Sequence, residues 1–186
     1  VASGGSVAMQ ATLGNLKFQN TLGYKVDTVA ADGTLFTQAD GLSAAGNTIT
    51  LNTGAGTVTQ TSGKNVTATS LDLQGAGSYT LDSTGNNVAK IGGATAGTVK
   101  YVDANALAVD TVGTTNGFTG AGDVTLNTQT ADLALNQPIS AGANTVRLQA
   151  NAGNVTQAAA GVFTAGALGV NAGLGIDLSA APNVVA

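Results

Sequence analysis

The chain has 186 residues, 27 of them Gly, with no Cys and no His; its ten acids are all Asp, and five Lys and one Arg leave a net charge of −4. This excludes disulfides and thiolate metal sites, and the acidic balance argues against nucleic acid, where a basic stripe is expected. Good helix formers are too scarce beside Gly, Asn, Thr and Val for a helical domain, while a 43% hydrophobic content separates the chain from disordered ones.

No apolar run approaches the roughly 20 residues a spanning helix requires, so no membrane insertion is expected of this segment. The chain does not begin with Met, and it reads as a segment of a longer or processed protein whose secretion signal would lie outside it.

From the start, short apolar alternations appear at SVAMQ (6–10), NLKFQ (15–19) and YKVDTV (24–29). Further beats follow at Ile49/Leu51, Val58, Val66, Leu71/Leu73, Tyr79/Leu81 and Val88, then at Val146/Leu148, Val155, Phe163, Leu168/Val170, Ile176/Leu178 and Val184. Corresponding beats recur about every 20–22 residues, with three short strands per cycle. Within a beat the period is two. In TVRLQ, Val146 and Leu148 point one way and Thr145, Arg147 and Gln149 the other. Gly and Asn punctuate the beats, since both tolerate tight bends.

Strands this short cannot bury an apolar face alone, whereas stacked cycles bury it in a continuous interior. An antiparallel sandwich or barrel would need longer runs and hairpin dipeptides. Asp32-Gly33, Asp40-Gly41 and Asn116-Gly117 are present, but most beats are joined by Gly-Ala-Gly or Ala-Gly. The expected fold is all-β: a right-handed parallel β-helix (β-solenoid) of about 20–22 residues per coil and about nine coils. At a strand spacing near 4.8 Å this is a rod on the order of 40 Å.

The sequence also matches itself. Shifted by 97 positions, residues 144–186 lie without a gap on 47–89, with Asn144, Leu148, Gly153, Val155, Thr156, Gln157, Leu168, Leu178 and Asn183 on identical residues. Shifted by 83, Leu16–Val29 lies on Val99–Val112, with Lys17, Val26, Asp27, Thr28 and Val29 on identities. The chain therefore reads as module 1 (1–92) and module 2 (93–186), continuous in one solenoid. The unequal shifts put extra residues between Val112 and Asn144. They are expected around 123–142, as an irregular excursion or an extra turn of chain.

No catalytic, cofactor-binding or metal-binding residue emerges. Glycoside cleavage needs two carboxyl groups at a set separation, but the Asp residues are scattered, with Asp72 and Asp82 on different strands. An outer groove holding two or more Asp with Arg147 or a Lys would favour a carbohydrate-active or carbohydrate-binding reading. The stretch nearest to a calcium-binding nonapeptide, GGATAGTV (92–99), has no Asp. Thr48/Thr50, Thr57/Thr59 and Thr67/Thr69 resemble an ice-binding array, yet Ser70 and Asp72 follow Thr48 and Thr50 one cycle on. Asn65 and Asn154 fit the glycosylation acceptor pattern, which an Asn at a bend before a strand also produces. Of the aromatics, Phe18, Tyr24, Tyr79, Tyr101 and Phe163 sit on beats and read as core, with Phe36 and Phe118 in loop-like surroundings.

GDVTLNT (122–128), ADLALNQPISAGANTVRLQANAGNVTQAAAGVFTAG (131–166) and GIDLSAAPNVV (175–185) resemble repeats of filamentous-haemagglutinin-like exoproteins, the β-helical adhesins of two-partner secretion. The resemblance implies an exported fibre at the bacterial outer surface whose shaft presents adhesive patches. The expected function is a structural or adhesive shaft segment that is not an enzyme and uses no cofactor. Its expected partners are a host or matrix surface or sister fibres. The alternatives are a self-assembling extracellular filament subunit and a carbohydrate-binding or carbohydrate-active β-helix.

Overall fold

The computed structural model describes residues 4–186. Among these residues there is no helix, and every pairing between successive coils is parallel. About eight turns stack into a β-solenoid. An eight-stranded sheet forms the first face. A thirteen-stranded sheet supplies the second and third, because its long strands Leu42–Thr53, Val66–Gly75 and Asn87–Thr95 each carry two columns of pairing.

The coil length follows from the register on the first face, where Tyr24, Val58, Tyr79, Val99, Val124, Val146 and Leu168 stack in one column. Tyr79 lies 21 positions after Val58, Val99 lies 20 further on, and Val146 and Leu168 each follow at 22. Two steps are longer: 34 from Tyr24 to Val58 and 25 from Val99 to Val124. Each contains an antiparallel excursion, Thr28–Asp40 or Thr111–Asn116. These excursions absorb the residues of the ninth expected coil.

Period-two alternation places the core. In Thr145–Ala150 the residues Val146, Leu148 and Ala150 are buried, while Arg147 and Gln149 face solvent. Stacking repeats this choice coil after coil, so Leu51, Leu73, Phe118, Ile139 and Phe163 share one interior with the first-face column. Tyr24, Tyr79 and Tyr101 fill that interior, and Phe118 joins them with no exposure. Phe36 alone among the aromatics projects from a loop, 44% exposed.

At the corner between the third and first faces, Gly23, Gly56, Gly77 and Gly97 stack in successive coils, and backbone approach demands them. A Cβ on Gly77 would lie 2.2 Å from the Gly56 carbonyl oxygen and 2.5 Å from Thr53 Cγ2; one on Gly97 would lie 2.2 Å from the Gly77 oxygen. Gly77→Ala is therefore expected to lower the unfolding free energy by about 1–3 kcal/mol, the usual cost of overpacking. Gly169→Ala, whose added Cβ meets nothing within 4 Å, is the control and should stay close to wild type. Urea titration of both variants checks this, and an unchanged midpoint for Gly77→Ala would remove the close-approach account.

Several buried polar groups find partners at the corners, whereas the buried Tyr24 hydroxyl has none. Thr53 Oγ1 donates to the Leu22 carbonyl (3.1 Å) and Thr95 Oγ1 to that of Gly77 (2.8 Å). The Asp103 carboxylate, fully buried, accepts from the Val88 and Asn105 N–H groups (both 2.8 Å) and from the Tyr101 hydroxyl (2.9 Å). Burial nevertheless raises the Asp103 carboxyl above its ordinary value, and burial first, then the neighbouring Asp103, raises the Tyr101 hydroxyl.

The internal matches correspond to local devices, displaced by one face. Asn86, buried, donates from Nδ2 to the Leu81 carbonyl (3.1 Å) and to Gln60 Oε1 (3.2 Å), while its Oδ1 accepts from Gln60 Nε2 (2.6 Å) and the Val66 N–H (2.8 Å). In the second match Asn183 makes the same set with Leu178, Gln157 and the Phe163 N–H. The matched strands sit on different faces: Ile49 on the third and Val146 on the first, Val58 on the first and Val155 on the second. The 92/93 junction falls within the single strand Asn87–Thr95.

The 83-residue match aligns the two excursions. Asp27 and Asp110 each accept the N–H of the following Thr, at 2.9 and 2.7 Å. Each excursion closes at a glycine with positive φ, Gly41 (65°) and Gly117 (63°), whose N–H returns to the Asp27 or Asp110 carbonyl. The first excursion leaves between the first and second faces and the second between the second and third. Residues 123–142 form one further regular coil through Val124–Thr128, Leu133–Leu135 and Ile139–Ser140. Of the two forms expected there, the chain adopts the extra turn.

Candidate functional site in the outer grooves

Outward side chains stack as regularly as inward ones, so each face carries polar ladders. The excursions convert parts of these ladders into grooves. The hairpin Thr111–Asn116 folds back over the third face, where Gln74 Nε2 donates to Thr115 Oγ1 (3.0 Å) and to Asp72 Oδ1 (2.6 Å). Gly113 and Thr114 of the hairpin, with Lys17, Thr48, Thr50 and Asp72 of the face, line a cavity of about 280 Å³.

Register fixes the order inside this groove. Lys17 pairs with Thr50 and Thr50 with Asp72, so the two charges lie two strand spacings apart, roughly 10 Å along the axis. Gly92 is next in the ladder. A Cβ there would lie 3.0 Å from both the Asp110 and Gly117 carbonyl oxygens. The absent side chain lets the hairpin base close one end of the groove.

The charges in this groove differ from the rest of the surface. Five cations are matched in ion pairs: Lys25–Asp27 (3.1 Å), Lys64–Asp40 (2.9 Å), Lys90–Asp110 (3.0 Å), Lys100–Asp82 (2.7 Å) and Arg147–Asp123 (3.0 Å). Exposed pairs of this kind add little stability, but they occupy five of the six cations and leave five of the ten carboxylates, Asp72 among them, without a cation. Among the described residues, Lys17 is the one cation without a carboxylate at ion-pair distance. Asp72 likewise has Gln74 as a partner and no cation. Burial raises the Asp72 carboxyl from its ordinary value, against the opposing pull of the Gln74 bond and the Lys17 charge.

The longer excursion makes a second groove, of about 400 Å³, between Met9 and Gln10 on the second face and Phe36–Ala39. Its wall is held by Asp32, whose Oδ1 accepts the N–H groups of Thr34 (2.9 Å), Leu35 (2.8 Å) and Phe36 (2.9 Å). These bonds keep the Asp32 carboxyl below its usual value. A third, open groove on the first face contains Arg147, Gln149 and Asn171.

The carboxylates expected to be scattered are scattered. Asp72 lies on the third face, and Asp82 follows a first-face strand and pairs with Lys100. Each of the three grooves, among the described residues, is lined by one carboxylate at most. The criterion of two Asp beside a cation is therefore not met in them. Thr48 and Thr50 are followed by Ser70 and Asp72, as the spacing indicates. Thr57 lies on the first face and Thr67 on the second, so the three Thr-x-Thr pairs occupy three faces. Asn154 Nδ2 donates to Asp132 (3.1 Å) and its Oδ1 accepts the Gly175 N–H (3.0 Å), while Asn65 Oδ1 accepts from Ser83 Oγ (2.7 Å). Both acceptor-pattern asparagines thus stitch neighbouring coils at bends.

The Lys17–Asp72 groove is not evident from the sequence, because its walls lie about 40 to 100 positions apart and depend on the hairpin fold-back. The available signals were the repeated Asp-Thr-Val and the Asn116-Gly117 dipeptide. No protein-family model, curated protein or solved structure matches the chain.

Proposed function

We propose that the chain is a shaft segment of an exported bacterial surface adhesin of the filamentous-haemagglutinin type, supplying length, stiffness and display rather than chemistry. The supporting observation is one continuous buried interior, with the first-face column from Tyr24 to Leu168 uninterrupted, carried through about eight parallel turns with ion-paired side chains outside. Such a stack resists local opening because each coil's backbone bonds are shared with two neighbours. A rod of this build holds surface grooves at fixed spacing, as an adhesive fibre requires. The phrases resembling adhesin repeats point the same way, and the partners are a host or matrix surface outside the cell.

The test is adhesion of beads coated with the purified chain to epithelial cells and to immobilised matrix. The expected result is retention above beads carrying an unrelated protein of similar size and charge. Equal retention on every surface would overturn the adhesive part of the proposal.

A further inference from the structure

We propose that the groove between the Thr111–Asn116 hairpin and the third face binds a neutral, hydroxylated ligand of the size of one or two sugar rings. This deepens the adhesive reading, and rests on it, by naming the chemistry of the contact. Three observations on separate parts of the chain carry it.

The first is that the groove is built. The excursion leaves the coil through the same Asp-Thr-Val opening and positive-φ glycine used by the longer one, and both fold back over an outer face to enclose a groove. Gly92 clears the hairpin base, and Gln74 ties the hairpin to the face at Thr115.

The second is an unpaired cation with a carboxylate on the same ladder, one oxygen of which is held by Gln74. Lys17 and Asp72, the groove's cation and its carboxylate, form no ion pair, although the other five cations all do. They point from the same ladder, separated by Thr50, so each retains hydrogen-bonding capacity toward whatever occupies the space between. An isolated cation would suit an anion, but Asp72 at the other end of the same short ladder opposes one. A ligand bearing several hydroxyls satisfies both, donating to Asp72 and accepting from Lys17.

The third is lining and size. Thr48, Thr50 and Thr114 add hydroxyl groups that donate or accept. The volume, about 280 Å³, falls at the small end of ligand sites, which run to roughly 1,000 Å³.

Amide chemical shifts of the labelled protein, titrated separately with lactose, maltose and chitobiose, test this, with 3′-sialyllactose as the anionic comparison. Saturable shifts confined to Lys17, Thr50, Asp72, Gln74 and Thr114 are expected for at least one neutral disaccharide. Thr50→Arg, which fills the groove from an outward strand position, should weaken that binding at least about tenfold while leaving the remaining spectrum in place. Lys17→Met and Asp72→Asn should each weaken it as well.

Absence of saturable shifts with all three neutral sugars would overturn the proposal. Shifts with sialyllactose alone would also overturn it, because the site would then be anionic in preference. Bead adhesion separates this from the shaft reading. A wild-type chain whose beads adhere but which shows no saturable shifts with the neutral sugars would sink the groove and spare the adhesive function. Sugar binding by a protein whose beads do not adhere would do the reverse.

Discussion

Asn86→Ala is expected to cost about 3–4 kcal/mol of unfolding free energy, whereas Asn183→Ala, which removes the same bonds except the one to a next-coil carbonyl, should cost about 1 kcal/mol or less. The Asn86 side chain has no solvent exposure. Its Nδ2 serves the carbonyls of Leu81 and Val102, and its Oδ1 serves the Val66 N–H and Gln60. Truncation leaves these groups without partners in an interior where each orphan costs about 1–3 kcal/mol. Asn183 sits half-buried in the last coil, where water replaces the lost bonds. Urea denaturation of the two variants, compared by midpoint at constant slope, decides the matter. Equal losses would mean that the hydrogen-bond pattern, rather than its burial, sets the energy.

Tyr79→Ala should be at least as damaging, at about 3–5 kcal/mol. The ring is fully buried in the first-face column between Val58 and Val99. Its single hydroxyl proton is shared between the carbonyls of Leu51 (2.8 Å) and Gln74 (2.6 Å), both on the third-face side of the interior, and thus ties two walls of the coil together. Burial accordingly raises the Tyr79 hydroxyl above its ordinary value. Tyr79→Phe keeps the volume and loses those bonds, so about 1–2 kcal/mol is expected. The difference between the variants measures packing, and a Phe variant as unstable as the Ala variant would show that the hydroxyl tie dominates. Thermal and urea unfolding of the pair provide the measurement.

Local pattern reached some of these residues and missed others. Alternation in TVRLQ assigned Val146 and Leu148 to the interior and Arg147 to solvent, because a strand offers only two directions. The spacing of beats, about 20–22 residues, matched the register wherever no excursion intervened. Phe118 was harder. Its neighbours Gly117 and Gly120 suggested a loop, and it is buried because the hairpin returns the chain to the third face at that residue. Asp32-Gly33 lies in the loop of the first excursion, whereas Asp40-Gly41 and Asn116-Gly117 end the second strand of each excursion and return the chain to the parallel stack.

By itself the sequence determined the all-β character, the short alternating strands, the coil length and the lack of charge clustering. Each follows from period, composition and the conformational preferences of Gly and Asn. Tertiary structure alone decided that the internal repeat is turned by one face, that a column of glycines occupies one corner, and that Lys17 and Asp72 share a groove beneath a hairpin. Those outcomes depend on where each coil ends relative to the one below. The inserted residues of two excursions set that phase, and no single strand carries a record of it.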